Sequence, residues 1–236
     1  MPEAPFDGYD EWDLTPVSLP PRSTLYAVEP IGVGTPWVES LTSYLTRVAS
    51  AHGVFPGVLI NKMIAPLVPG YSPYKRKHDL FRIGGGRSML FNGVGLPATS
   101  TVQVLETLTL RTDLRYLTFL PLAPVLPGKA KSVVRFTKAW CPGCYEEWYE
   151  TAQMLYDPLL WALQAISICP RHLCRLSTRC PYQECARPLP GVAWRSRVGY
   201  CSYCQRWLGV VPQRAKEQSP SHQDAEWQWQ QWVADA

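Results

Sequence analysis

Eight cysteines, all between Cys141 and Cys204, constrain this 236-residue chain more than any other feature. Cys141-Pro-Gly-Cys144 is a C-x2-C knuckle, and after 24 intervening residues Cys169-Pro-Arg-His172 follows as a C-x2-H pair. A tetrahedral zinc ion takes four soft or borderline ligands, and one tight turn supplies two of them when the ligands are close in sequence. The first set therefore reads as a site of three thiolates and one imidazole. A second set follows: Cys180-x4-Cys185, then 15 residues, then Cys201-x2-Cys204. Four thiolates at these spacings make an all-cysteine site. Cys174 is left over, either as an ordinary buried thiol or as a replacement for His172 in the first site. Two structural zinc ions are expected. With four protein ligands each, neither leaves a position open to activate water.

Disulfides are the competing use of these cysteines, and the compartment decides against them. Met1–Pro21 is acidic and Pro-rich with no apolar core, unlike a secretory signal. No run of 18 apolar residues suggests a membrane span. The expected location is the bacterial cytoplasm, where thiols stay reduced and more often bind metal.

Between the ligand pairs, Tyr145, Trp148, Tyr149, Ala152, Leu155 and Tyr156 recur at helical spacing, and Pro158 is expected to open a second helix bearing Leu160, Trp161, Leu163, Gln164 and Ile166. The N-terminal part carries clearer helices. Leu41, Tyr44, Leu45 and Val48 mark one that starts near Pro36 and stops at Gly53. A second spans Gly57–Leu67, closed by Pro69-Gly70. Ser100–Leu110 and Asp113–Leu117 are read as two helices around a short turn, compatible with a helix-turn-helix unit. Residues 121–131 (PLAPVLPGKAK) break regular structure and form the best linker. Pro makes up 23 of 236 residues, about twice ordinary usage, which favours short elements.

The expected fold class is mainly α, built of small zinc-stabilised modules. The expected organisation is an extended N-terminal arm (1–22), a helical, helix-turn-helix-like region (23–130), a tandem zinc-finger region with short β-hairpins (131–210), and a linker with a Trp-rich tail helix (211–236).

The net charge of +4 hides an uneven distribution. Residues 1–14 carry five acids and no base, whereas residues 171–214 carry eight arginines and one acid, Glu184. The arginines Arg171, Arg175, Arg179, Arg195 and Arg197 are candidates for contact with a nucleic-acid backbone, a contact that gives affinity but little sequence choice. The acidic arm (Asp10, Glu11, Trp12, Asp13) either docks on a partner or folds back on the body. Trp229 and Trp232 either anchor a partner groove or pack on the chain itself. No enzyme signature appears: there is no G-x4-G-K-[ST] loop, and His52, His78 and His222 stand isolated. The chain is read as a non-enzyme.

Two segments together resemble the TniQ family. One is Cys141-Pro-Gly-Cys144, an aromatic stretch with Trp161, then Cys169-Pro-Arg-His172-x3-Leu176-x3-Cys180-Pro. The other is Thr35-Pro-Trp-Val-Glu-Ser-Leu-Thr-Ser-Tyr-Leu-Thr-Arg-Val-Ala49, similar to the family's P-x-x-E-S-L-x-S-Y/W-L-x-R-x-A start, with Leu108-Thr-Leu110 between. The resemblance covers about residues 20–208. It implies a target-selection adaptor of a Tn7-like or CRISPR-associated transposon. Such an adaptor bridges a target-site recogniser (an RNA-guided CRISPR effector with its guide RNA) and the AAA+ ATPase TnsC, with target DNA backbone as a further contact. The alternative the resemblance leaves open is a DNA-binding zinc-finger protein of TnsD type that reads the attachment site itself. The glycine-rich stretch 85–100, the wide Cys180–Cys185 spacing and the Trp-rich tail depart from the family pattern.

Overall fold

The fold is described from a computed structural model covering residues 20–69, 91–125, 133–210 and 225–235. The acidic arm residues Asp10, Glu11, Trp12 and Asp13 lie outside the described residues, as do residues 85–90 of the glycine-rich stretch and residues 126–131 of the linker.

Helix α1 (Leu41–Ala51) begins where Ser40 Oγ accepts the Ser43 N–H at 3.3 Å. This is the usual way to satisfy one of the free donors of a first turn. Leu41, Tyr44, Leu45 and Val48 lie on its inner side and are fully buried. Gly53, at φ +66, turns the chain out of the helix as its sequence position suggests. Pro56 then opens α2 (Pro56–Leu59), which continues through a π-turn at Ile60–Ile64 and a 3-10 turn at Ala65–Leu67. Pro66 offers no N–H for the α-helical ladder, and the backbone changes its hydrogen bonding around it. The α1 axis and this composite helix meet at 98°. Among the described residues no single helix is long and apolar enough to cross a membrane.

Helix α3 (Leu96–Thr109) starts four residues earlier than its expected bound, with Pro97 in the first turn. It ends at Leu110 in the left-handed region, φ 57. The helix expected over Asp113–Leu117 is a single 3-10 turn, Leu114–Leu117. Arg111 closes onto Asp113 at 2.5 Å just before it, and Pro121 sits at the start of the next short turn, Leu120–Leu122. No second full helix forms there to make a right-angled pair with α3. The right-angled pair of this half is α1 with α2. Leu25, Tyr44, Leu45, Leu59, Ile64, Phe91, Leu105 and Leu117 fill the first core, joined by Val192 from far along the chain.

The second half packs around aromatic rings. Trp140, Tyr145, Trp148, Trp161, Ile166 and Leu208 form its core with the cysteines. Helix α4 (Pro142–Glu150) is shorter than the expected helix through Tyr156: Ala152 turns left-handed at φ 53 and residues 153–157 run on without helix. The second expected helix is only a 3-10 turn, Leu159–Ala162. Pro158 disfavours helical backbone at Asp157 and separates the two pieces. The expected β-hairpins take a reduced form. They are isolated antiparallel bridges at Ile168–Arg175, Arg179–Pro188 and Tyr200–Trp207, with no longer strand among the described residues. The tail helix α5 (Ala225–Asp235) forms as expected.

A buried polar seam joins the halves. Asp157 receives Lys138 Nζ at 2.6 Å and the Tyr145 hydroxyl on its carboxylate, while its N–H donates to Ser43 Oγ at 3.0 Å and its carbonyl accepts the Ser40 N–H at 2.8 Å. Ser43 Oγ in turn donates to Glu39 at 2.7 Å, and Arg47 pairs with the same carboxylate at 2.5 Å. Burial raises the Glu39 pKa to about 7 although Arg47, Ser43 and the Ile31 N–H pull it down.

Candidate metal centres

Cys141 serves as N-cap of α4: its Sγ accepts the Cys144 N–H at 3.4 Å, and Pro142 occupies the first helical position, where a missing N–H costs nothing. Both thiols thus leave the same first turn. Gly143 between them is required by space, because a Cβ there would stand 2.8 Å from the His172 ring.

Cys144 Sγ lies 3.6 Å from Cys169 Sγ and 3.3 Å from His172 Nδ1, and Cys169 Sγ lies 3.9 Å from the same nitrogen. With Cys141 these four donor atoms all fall within 4.8 Å of one another. The second set is equally tight: Cys180 to Cys204 is 3.6 Å, Cys185 to Cys201 is 3.8 Å, and all four thiols lie within 4.8 Å of one another. A tetrahedron with zinc–sulfur bonds of about 2.3 Å has sulfur–sulfur edges of about 3.8 Å. Both clusters match those edges and can hold a metal ion.

Two of the three remaining knuckles share one backbone design, and the wider Cys180–Cys185 loop keeps half of it: Cys180 N–H reaches the Arg187 carbonyl at 2.9 Å, while Ala186 N–H returns to the Tyr182 carbonyl at 2.8 Å. Leu173 N–H returns to the Cys169 carbonyl at 2.9 Å, and Cys169 N–H reaches the Cys174 carbonyl at 2.8 Å. Gln205 N–H returns to the Cys201 carbonyl at 3.0 Å, and Cys201 N–H reaches the Arg206 carbonyl at 2.9 Å. In these three the residue after the second donor is left-handed without being glycine: Leu173 at φ 50, Ala186 at φ 44, Gln205 at φ 59. His172 therefore stands in the place that Cys204 holds. Cys174 occupies the place of Arg206, with its Sγ 3.4 Å from Cys141 Sγ.

His172 is also held from behind. Its Nε2 faces the Glu147 carboxylate at 3.3 Å, and Arg171 grips the other Glu147 oxygen at 2.7 Å. A carboxylate behind a metal-facing imidazole fixes the ring and its tautomer. The Cys169 sulfur beside the ring raises the His172 pKa, because a thiolate favours the charged imidazole. The sequence carries no pattern marking Glu147, although its place one helical turn beyond Cys144 is visible in retrospect.

The other candidate residues are dispersed. Arg171 is tied to Glu147 and stacks 5.5 Å from the Trp37 ring. Arg175 is exposed, and Arg179 donates to the Ala186 carbonyl at 3.1 Å. Arg195 stacks over Phe55 at 5.6 Å and Arg197 over Tyr200 at 4.1 Å. Trp229 and Trp232 are 49% and 69% exposed. The tail helix docks through Gln230 instead, whose Oε1 accepts from the Ser167 and Ile168 N–H groups at 2.8 and 2.7 Å.

With both clusters in place, a comparison with known families becomes decisive. The sequence profile of the family named TniQ matches residues 30–176, more than half of the chain. The chain belongs to the TniQ family. The match runs from the segment before α1, across the seam, through the first metal cluster, and stops before Cys180. The second cluster lies beyond it. A comparison with curated proteins returns no match. TniQ proteins are non-enzymatic adaptors of transposition, and membership makes this chain a transposition-associated target-selection protein.

Proposed function

We propose that this TniQ protein bridges a target-site recogniser and a TnsC-like AAA+ ATPase, the recogniser being an RNA-guided CRISPR effector. The observation that carries the reading is the extent of the family match: it includes α1, the seam and the first metal cluster as one unit. For an adaptor, what matters is that two surfaces keep a fixed relation. The Asp157 network does that, because buried polar groups that satisfy one another resist rearrangement.

In this reading both clusters hold zinc as a structural ion: Cys141, Cys144, Cys169 and His172 bind the first, and Cys180, Cys185, Cys201 and Cys204 the second. The donor sets support zinc, three sulfurs with one nitrogen and four sulfurs, at tetrahedral edge lengths. The acidic arm (Asp10, Glu11, Trp12, Asp13) and the exposed Trp229 and Trp232 are the proposed protein contacts. Arg175, Arg179, Arg195 and Arg197, with Arg171 beside the first cluster, are the proposed contacts to nucleic-acid phosphate.

A DNA-reading protein of TnsD type is the second reading. The 98° crossing of α1 and α2 around Gly53 favours it, since helix-turn-helix units cross at such angles. Against it, Lys62 is the one cation between Pro56 and Leu67. The test is a pull-down of the purified protein with the TnsC-like ATPase of its own element, with ATP and DNA. ATP-dependent co-assembly supports the adaptor. Failure to assemble, with tight salt-sensitive binding to one duplex, supports the DNA reader.

A further inference from the structure

Between the α1–α2 corner and the metal-bearing half lies an open cleft of about 940 Å³. Its apolar lining includes Val54, Phe55, Met154 and Leu155, and its charged lining is Arg47, Arg195 and Arg197, with no acidic side chain among the described residues that form it. Phe55 is 51% and Met154 62% exposed, so apolar surface faces solvent beside cations. Arg47 already has a partner in Glu39, at 2.5 Å. Arg195 and Arg197 lie over aromatic rings, and neither has a carboxylate within ion-pair distance among the described residues. Such a surface fits an extended segment in which acids alternate with aromatic or aliphatic side chains.

The chain itself supplies one. Phe6-Asp-Gly-Tyr-Asp-Glu-Trp-Asp-Leu14 interleaves four acids with Phe6, Tyr9, Trp12 and Leu14 and has no base. It is tethered at the rim. Leu25 is buried in the first core, and Tyr26 stacks on His52 at 4.2 Å while its N–H donates to the same ring at 2.9 Å. His52 directly precedes Gly53 and Val54 of the cleft wall. Residues 12–20, up to the first described residue, reach about 25 Å when extended as a Pro-rich chain, more than the radius of gyration of about 18 Å expected of a domain of this length.

We propose that in the free protein the Phe6–Leu14 segment occupies this cleft, with its acids on Arg195 and Arg197 and its aromatic side chains against Phe55 and Met154. The adaptor reading is not needed for this, and either stands if the other fails.

Four methionines make the test simple. The full-length, metal-loaded protein is labelled with 13C-methyl methionine and its methyl spectrum recorded. Met154 reports on the cleft, and Met63, packed against the first core, serves as control. Trp12→Ala is expected to move the Met154 resonance through loss of the indole ring current and to leave Met63 in place. The triple change D10N/E11Q/D13N is expected to move Met154 in the same direction. A Met154 resonance unmoved by Trp12→Ala overturns the proposal. So does a Met154 position that varies with protein concentration, which would assign the cleft to the arm of a second copy.

Discussion

The two halves of this protein reach a folded core by different routes. In the first half, α1, α2 and α3 bury aliphatic side chains spaced by the helical period, and Leu41, Leu45, Val48, Leu105 and Leu108 would look ordinary in any helical domain. In the second half the one α-helix among the described residues before the tail is nine residues long, the remaining described backbone from Val133 to Val210 is turns and single bridges, and the buried bulk is Trp140, Trp148 and Trp161 around the sulfur clusters. A segment this poor in regular backbone hydrogen bonds depends on cross-links. The difference teaches where stability resides: in surface area removed from water on one side, and in the proposed metal coordination on the other.

The largest effect should come from removing metal. A strong chelator is expected to cost the second half on the order of 10 kcal/mol. Near-ultraviolet circular dichroism from its buried tryptophans should vanish while the far-ultraviolet helical signal of α1–α3 persists. A chelated protein that keeps its near-ultraviolet signal would break the comparison.

The seam is next. Asp157→Ala strands the Lys138 ammonium and the Tyr145 hydroxyl and should destabilise by about 3–5 kcal/mol in chemical denaturation. Adding Lys138→Met to it should recover part of that loss, because the uncompensated charge is gone. A double variant no better than the single would show that the seam is not the coupling element.

Leu45→Ala, at a fully buried position of α1, should cost about 2–5 kcal/mol and leave metal content unchanged. Loss of metal in this variant would mean that the halves do not differ as described.

Glu39 sharpens the comparison by pH. Its carboxyl is raised from 4.5 to about 7 in the fold, so between those values the unfolded chain ionises first and the folded chain holds the extra proton. The Glu39 contribution is therefore complete below pH 4.5 and is lost as pH rises through 7. Measured against Glu39→Gln, wild-type stability should fall by on the order of 3 kcal/mol across that window. A constant difference would contradict it.

The smallest effect concerns the knuckles. Ala186 is exposed and held at φ 44, a conformation that costs a side-chain-bearing residue about 1 kcal/mol. Ala186→Gly should not destabilise, and thermal melting should register a slight gain.

Much of this is legible in the sequence because it rests on local spacing. The apolar period of Leu41–Val48 places α1, Gly53 places its end, and the cysteine pairs announce two clusters by spacing alone. What is not legible depends on distant partners. Nothing near Asp157 says that Ser43, Lys138 and Tyr145 will meet there, and nothing near Glu147 says that it will stand behind His172. The aromatic run after Cys144 suggests a longer helix because Trp148 and Tyr156 share a helical face. The chain buries both rings anyway, through a turn at Ala152 that helical periodicity does not reveal. In the tail, Trp229 and Trp232 draw attention by size, yet Gln230 makes the contact. A polar side chain that caps two backbone N–H groups leaves no mark in a hydrophobic pattern.

The choice between His172 and Cys174 and the existence of both metal centres meet in one measurement: native mass spectrometry of the intact protein and two variants. Two zinc ions are expected on wild type and on Cys174→Ser, and a weakened or lost first ion on His172→Ala with the second retained. Fewer than two ions on wild type, or loss of an ion on Cys174→Ser with His172→Ala unaffected, would contradict the account.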